Sequence, residues 1–339
     1  MSCLLSVSAE EVEELNGIIT VHHNSGRKQY ELIEFISKEL GVRLVSTEND
    51  GGLLNTAVDT ITTDSFTIKP LFFPGGDIGS LSISGSINDT IMLGARPLYL
   101  SLSLIIEEGI KITTLRNILH SIRKELELSE TYVLCGDTKV VEKGEVDGII
   151  INTTCLGKTI NNALTVDRIK SEDSLIVTGP IGLHGAAVMA CRNNFDIDFE
   201  SDCRSLMPLL KAVDNFDIHV MRDLTRGGLV QILNELAISS KKEIIIDESL
   251  LQIPPGVESV SEILGINPLY LACEGTVVIT CDSEIESELL SFLEGIGFSP
   301  FKAGMVGRNT QRPLVSFKTK AGAERVLPML LEELTPRIC

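Results

Sequence analysis

"GKTINNALTVDRIKSEDS" (157–174) is polar, carries no helical or strand period, and divides the chain into two halves of similar length. On its C-terminal side, "SLIVTGPIGLHGAAVMACRNN" (174–194) reads as strand, glycine turn and helix. "RGGLVQILNELAISS" (226–240) reads as a helix entered through two glycines. "GTVVITC" (275–281) and "AGMVGR" (303–308) read as strands flanking the helix "SEIESELLSFLEGIG" (283–297). On the N-terminal side, "KQYELIEFISKEL" (28–40) has helical spacing. "LVST" (44–47), "TAVDTITTDSFTI" (56–68), "LYLSLSLII" (98–106), "TYVLCGDTKVVE" (131–142) and "VDGIIINTTCLGK" (146–158) have strand character. "SINDTIMLGA" (86–95) reads as the start of a helix, and "TLRNILHSIRKELEL" (114–128) as another, capped by Thr113 or Thr114. Strand and helix alternate on both sides of the polar stretch, which predicts two α/β or α+β domains, 1–158 and 159–322. Residues 323–339 read as a last helix, disturbed by Pro328, and a mobile tail. Pro336 cannot continue a helix, so Arg337, Ile338 and Cys339 are expected to extend away from the body.

The chain of 339 residues has 47 acidic and 29 basic side chains, a formal net charge of −18. Such a field disfavours nucleic acid and anionic membranes, and no Lys/Arg-rich tract offsets it. No stretch reads as membrane-spanning, and "MSCLLSVSAEEVEELN" lacks the basic start and apolar run of a signal peptide, so the expected compartment is the cytoplasm. None of the eight cysteines falls in a C-x-x-C pair, and most sit among apolar or small residues as expected for buried thiols in a reducing cell. Cys339, the last residue, has no such setting.

Asp and Asn recur beside glycines or at strand ends: Asp50 in "NDGG", Asp64 in "TTDSF", Asp77 in "PGGDIGS", Asn88 and Asp89 in "SINDT", Asp137 in "CGDTK", Asp223 in "MRDLTRGG". One such residue is most simply a turn or helix cap. Six in comparable settings suggest carboxylates gathered from several strand ends, the kind of site that holds Mg²⁺ with a nucleotide. Gly75 and Gly76 before Asp77 would let backbone N–H groups approach a phosphate, as well as make a plain turn. Arg226 and Gly227 lead into a helix N-terminus, where anions are favoured. Lys139 and Glu274 are candidates for charge stabilisation and proton transfer. The five histidines show no metal-ligand spacing, although His184, beside glycines, could line a cleft.

Together, "TTDSFTIKPLFFPGGDIGSLSISGSINDTIMLGARPLYLSL" (62–102), "GDTKVV" (136–141), "DGIIINTT" (147–154), "DLTRGGL" (223–229), "NPLYLACEG" (267–275) and the terminal "PRIC" resemble the HypE family of hydrogenase maturation factors. That family is similar to aminoimidazole ribonucleotide synthetase and selenophosphate synthetase. The resemblance implies a two-domain fold of that type, an N-terminal sheet that pairs with a second copy in a homodimer, and ATP with Mg²⁺ between the domains. It implies that a carbamoyltransferase, HypF, loads the C-terminal thiol. ATP then drives dehydration of the S-carboxamide to an S-cyanide, which passes to iron on a HypC–HypD complex. By the same resemblance Cys339 carries the group and Glu274 accepts the proton. Lys139 and Asp137 lie by the phosphates or carboxamide, and Asp50, Asp64, Asp89 and Asp223 are metal-side carboxylates. Gly75, Gly76, Asp77, Asn88, Arg226 and Gly227 complete the nucleotide site. Arg337 would favour the Cys339 thiolate, which the residue's own carboxylate opposes.

The chain departs from the family's pattern at "HHNSGRK" (22–28), Leu183 of "LHG", Cys273 of "CEG" and Leu224 of "DLTRGG". Loss of a carboxylate at 183 and of an amide at 273 keeps open a carrier that retains the tail without the chemistry. A selenophosphate synthetase or small-molecule kinase is a further alternative, which leaves "PRIC" unexplained.

Overall fold

The computed structural model describes residues 17–24, 26–41, 54, 56–332, 334–335 and 337–339. In chain order it has α1 (Gly26–Leu40), β1 (Thr60–Phe66), β2 (Phe72–Phe73), β3 (Gly76–Asp77), α2 (Ile78–Met92), β4 (Ala95–Glu107), α3 (Ile112–Ser129), β5 (Tyr132–Val141) and β6 (Ile149–Thr159). After the polar stretch come β7 (Ser174–Val177), α4 (Leu183–Arg192), α5 (Leu210–Asn215), β8 (Ile218–Asp223), α6 (Gly228–Ser240) and β9 (Lys242–Asp247). The chain closes with α7 (Pro255–Leu264), β10 (Val277–Cys281), α8 (Glu286–Gly295), β11 (Phe301–Asn309), β12 (Val315–Lys318) and β13 (Glu324–Leu327).

The first sheet has the order β1-β6-β4-β5, with only the β4–β5 pair parallel. Its strands alternate: along β6 every second residue from Ile149 to Gly157 is buried and those between are half-buried. A strand shows that period of two when one face is covered and the other is not. The covered face lies on α2, an almost wholly buried helix with α3 packed beside it. Ser86 of α2 and Thr153 of β6 share a 2.6 Å hydrogen bond across that interface. The second sheet, β13-β12-β9-β11-β7-β10-β8, is buried on both faces along β7 and β10. Ile176, Val277 and Ile279 join the core that runs on into the first sheet, whereas Leu175, Val177 and Val278 face α6. This is why "SLIV" and "VVITC" are continuous apolar runs.

Several expectations change. The helix reaching Met92 begins at Ile78, because Asp77 caps it: one carboxylate oxygen accepts the N–H groups of Gly79 at 2.6 Å and Ser80 at 3.1 Å. Helix α3 starts at Ile112 after Lys111, and neither Thr113 nor Thr114 caps it. The described residues of 323–339 form no last helix: 324–327 pair with β12 as an edge strand, completing the second sheet. The tail does not extend into solvent either. Ile338 is buried and Cys339 packs half-buried against the main core. Pro336, "LVST" and Asp50 lie outside the described residues.

Candidate active site

Four of the anticipated carboxylates converge. Asp64 stands on β1, Asp89 near the C-terminal end of α2, Asp223 at the end of β8, and Glu274 just before β10. Burial, the charge of Asp223 and a hydrogen bond with Asp64 push Asp89 up to about 9. Burial raises Asp223, with Asp64 and Glu235 adding to it against the pull of Arg222. Glu274 is pushed well above the usual carboxylate range, first by burial and then by Asp223, Asp202, Asp89 and Asp64. Its Oε1 is buried without a hydrogen-bond partner. Acids that hold one another's protons on form a site prepared for a cation or for donors from a ligand.

The backbone around Glu274 is fixed from another segment. Asp202 accepts the N–H groups of Glu274 and Gly275, both at 3.0 Å, and the Thr276 hydroxyl at 2.9 Å. A Cβ at Gly275 would stand 1.9 Å from the Asp202 carbonyl oxygen, so only glycine permits this approach. Asn88 is fully used inside the protein: it donates to the carbonyls of Arg204 (3.0 Å) and Glu274 (3.3 Å) and accepts the Leu206 N–H at 2.8 Å. It sets the site's walls, where a ligand contact was expected.

Arg226 is exposed, and Gly227 caps α6 with positive φ, in the turn that follows Asp223. Gly75, Gly76 and Asp77 stand at the opposite end of α2 from Asp89, about 18 Å along the helix. There they line a separate cavity of about 720 Å³, and the Asp77 carboxylate is spent on its cap and on Ser121. Asp137 and Lys139 are exposed on β5, the edge strand opposite β1. Asp64 lines up with Thr153, Leu102 and Gly136 across the sheet, which puts β5 roughly 14 Å away. Because Gly136 shares the helix-covered face with Asp64, Asp137 and Lys139 point to the other face. Within one chain they do not join the cluster.

Among the described residues no three Asp, Glu, His or Cys side chains make a group that could hold a metal on its own. The donor set still fits Mg²⁺, which is commonly held by one or two carboxylates plus phosphate oxygens and water.

The tail is bound beside this site. The Arg337 guanidinium donates to the Thr67 carbonyl at 2.9 Å and pairs with Asp147 at 2.7 Å, so its charge is taken up there and does not stand free for the thiolate. Arg192 donates to the Arg337 carbonyl. His184 bonds the Ile338 carbonyl at 2.8 Å. The two departures that kept a carrier open prove to be packing positions. Leu183 lies against the small cluster of α4 and α7, and the buried Cys273 sulfur accepts the Gly182 N–H at 3.0 Å. Asp202, Ser201, Arg222 and the docking role of His184 were missed. Asp202 and Ser201 share no motif with the carboxylates, whereas Arg222 stands beside Asp223 in "MRDLTRGG" and His184 carried a signal in its place beside glycine.

The family described as "AIR synthase related protein, N-terminal domain" matches residues 48–159, and its C-terminal domain counterpart matches 170–318. The chain is similar to Carbamoyl dehydratase HypE of Rhodobacter capsulatus, at 39% identity over 82% of this chain and 84% of the relative. It is similar to the solved structure of HypE in complex with ATP, with TM-score 0.89 and 34% identity over 94% of this chain and 99% of that one. It is also similar to HypE in the HypE–HypF complex, with TM-score 0.75 and 35% identity over 88% of this chain and 99% of that one.

Proposed function

The chain belongs to the HypE family of carbamoyl dehydratases, and we propose that it carries out the family's reaction on its own last residue, converting an S-carboxamide on Cys339 to an S-cyanide. It is an ATP-dependent enzyme of hydrogenase maturation, which sets aside the carrier and the selenophosphate synthetase. The observation that carries the reading is Glu274: a buried carboxyl with an unpartnered oxygen, among three other acids, in a chain whose terminal cysteine is docked in the protein.

A carboxamide oxygen leaves poorly. Phosphorylated by ATP it departs as phosphate, and loss of two nitrogen-bound protons leaves the nitrile. Asp64, Asp89 and Asp223 would hold Mg²⁺, which when bound supplies charge to the phosphate oxygens. Glu274 takes a proton from nitrogen, its Oε1 being free for that contact. Asp50 is assigned to the metal side with them, and Arg226 with Gly227 to phosphate. The raised proton affinity of Glu274 strengthens it as an acceptor once it has ionised, the state that a cation bound beside it would favour. Docking of the tail supplies proximity.

Asp137 and Lys139 reach such a site only from a second copy. The uncovered face of the first sheet carries half-buried Ile105, Ile150 and Leu156 and exposed Ile61, a surface suited to pairing with its twin in a homodimer. In that arrangement residues 1–158 form the nucleotide and dimer unit and 159–322 the second domain. HypF, seen bound to a HypE relative, is the proposed donor to Cys339, and a HypC–HypD complex is the proposed acceptor. Among the described residues no helix is long and apolar enough to cross a membrane, and the cytoplasm is the proposed location.

The test is direct. Cyanate carbamoylates the thiols, Mg²⁺-ATP is added, and the C-terminal peptide is followed by mass spectrometry with Cys339→Ala as control. Loss of one water from the peptide bearing Cys339, only with ATP, supports the reading. An unchanged carbamoylated peptide in protein that binds ATP refutes it.

A further inference from the structure

We propose that His184 is the positioning residue of the reacting tail, holding the last peptide group in register with Glu274; this rests on the reading of Cys339 as the reacting thiol.

His184 is completely buried, at the first turn of α4. Phe73 meets its ring edge-on at 5.2 Å. One ring nitrogen, Nδ1, lies 2.8 Å from the Ser201 hydroxyl, and the other, Nε2, lies 2.8 Å from the Ile338 carbonyl. A carbonyl oxygen only accepts, so Nε2 carries the proton and Nδ1 accepts from Ser201. Burial keeps the ring neutral by lowering its proton affinity, which agrees with that tautomer. The contact is to backbone. The Ile338 carbonyl belongs to the peptide bond that enters Cys339, so holding it orients the Cys339 Cα through the backbone.

Two further links tie His184 to Glu274. Gly185, the next residue, donates its N–H to the Ala272 carbonyl at 2.9 Å, two residues before Glu274. A Cβ at Gly185 would stand 2.9 Å from the Ala272 nitrogen, so α4 and the segment that leads to Glu274 lie in close backbone contact. Ser201, which orients the ring, precedes Asp202, which holds the N–H groups of Glu274 and Gly275. The imidazole therefore sits between the tail and both supports of the proposed base. Arg192 and Asp147 grip Arg337 farther out and bring the tail to the seat.

The experiment uses the full-length protein and two readouts: the rate at which iodoacetamide alkylates Cys339, and the single-turnover loss of water from the carbamoylated C-terminal peptide with Mg²⁺-ATP. His184→Leu is expected to speed alkylation and to slow dehydration, each on the order of tenfold, with the thermal shift caused by Mg²⁺-ATP unchanged. His184→Gln places an amide N–H near the position of Nε2 and should restore most of both. Ser201→Ala keeps the ring but frees its tautomer, and should move both rates in the same directions by about threefold. That variant and the Gln variant decide the matter should His184→Leu fail to fold. Wild-type rates in Ser201→Ala and His184→Leu would overturn the proposal. Faster alkylation with undiminished dehydration would also overturn it, because the seat would then only shelter the thiol. A wild-type protein that never loses water would refute the proposed reaction itself, and with it the role given to His184.

Discussion

The carboxylate of Asp202 accepts the backbone N–H of Glu274 at 3.0 Å, from a segment 72 residues earlier in the chain. The bond fixes where Glu274 begins and leaves its side chain free, with Oε1 unpartnered. A proton acceptor needs that combination: a rigid stem and an uncommitted oxygen.

Glu274→Gln keeps the shape and removes the proton acceptor. Dehydration of the carbamoylated tail should fall by about 10²–10⁴-fold, the usual contribution of a positioned acid–base group. The Mg²⁺-ATP thermal shift should stay within error of wild type, and a loss of that shift would move Glu274 from proton transfer to nucleotide binding.

Asp202→Ala leaves the N–H groups of Glu274 and Gly275 without their acceptor. Buried donors stripped of partners cost ~1–3 kcal/mol. The urea midpoint should drop accordingly, and dehydration should slow although Asp202 is assigned no contact with substrate. An unchanged midpoint would show that water replaces the carboxylate.

The thiols should divide by environment. Burial pushes Cys155 up to about 11 and Cys281 up to about 12, and holds Cys203 and Cys273 well above the usual thiol value. A raised thiol value keeps the proton on as pH climbs, so at pH 8 the thiolate fractions of Cys155 and Cys281 are about 10⁻³ or less. Among the described cysteines, iodoacetamide or cyanate in native protein should modify half-buried Cys135, Cys191 and Cys339. Buried Cys155, Cys273 and Cys281 should react only after denaturation, and half-buried Cys203 only slowly before it, its thiol held protonated. Peptide mapping before and after guanidinium checks this, and it fixes the background for the dehydration assay.

The tail's outer grip should weaken in acid. Lys69 and Arg337 hold the Asp147 carboxyl below its ordinary value. A carboxylate lowered in the folded state stabilises it above the unfolded value of about 4, and that stabilisation is lost as pH falls through the folded value. Asp147→Asn should therefore lower Tm slightly at pH 7, the pair being largely exposed. The gap from wild type should close below about pH 4. A gap that persists at pH 3 would assign Asp147 a role other than charge.

Legibility from sequence followed the range of the interactions. Helix α6 and strands β7 and β10 are readable because their apolar pattern is dictated by local geometry. The last stretch misled because "PMLLEEL" has helical composition, while 324–327 are claimed by an edge position beside β12. Asp77 and Asp89 look alike in sequence, each beside small polar residues. One is a cap and the other a member of the cluster, a distinction made by what packs against each end of α2. Asp137 and Lys139 stand out in the sequence, yet strand order puts them across the sheet from Asp64.

The sequence by itself determined the two α and β halves, the family, and a set of acids and a terminal cysteine as candidates for its chemistry, because hydrophobic period and short motifs are properties of neighbouring residues. Tertiary structure alone decided which of those acids meet, that the tail lies docked, and that His184, Ser201 and Asp202 connect it to Glu274. Those relations join residues as many as 270 positions apart in the chain, and only the packing of separate elements against one another brings them within reach.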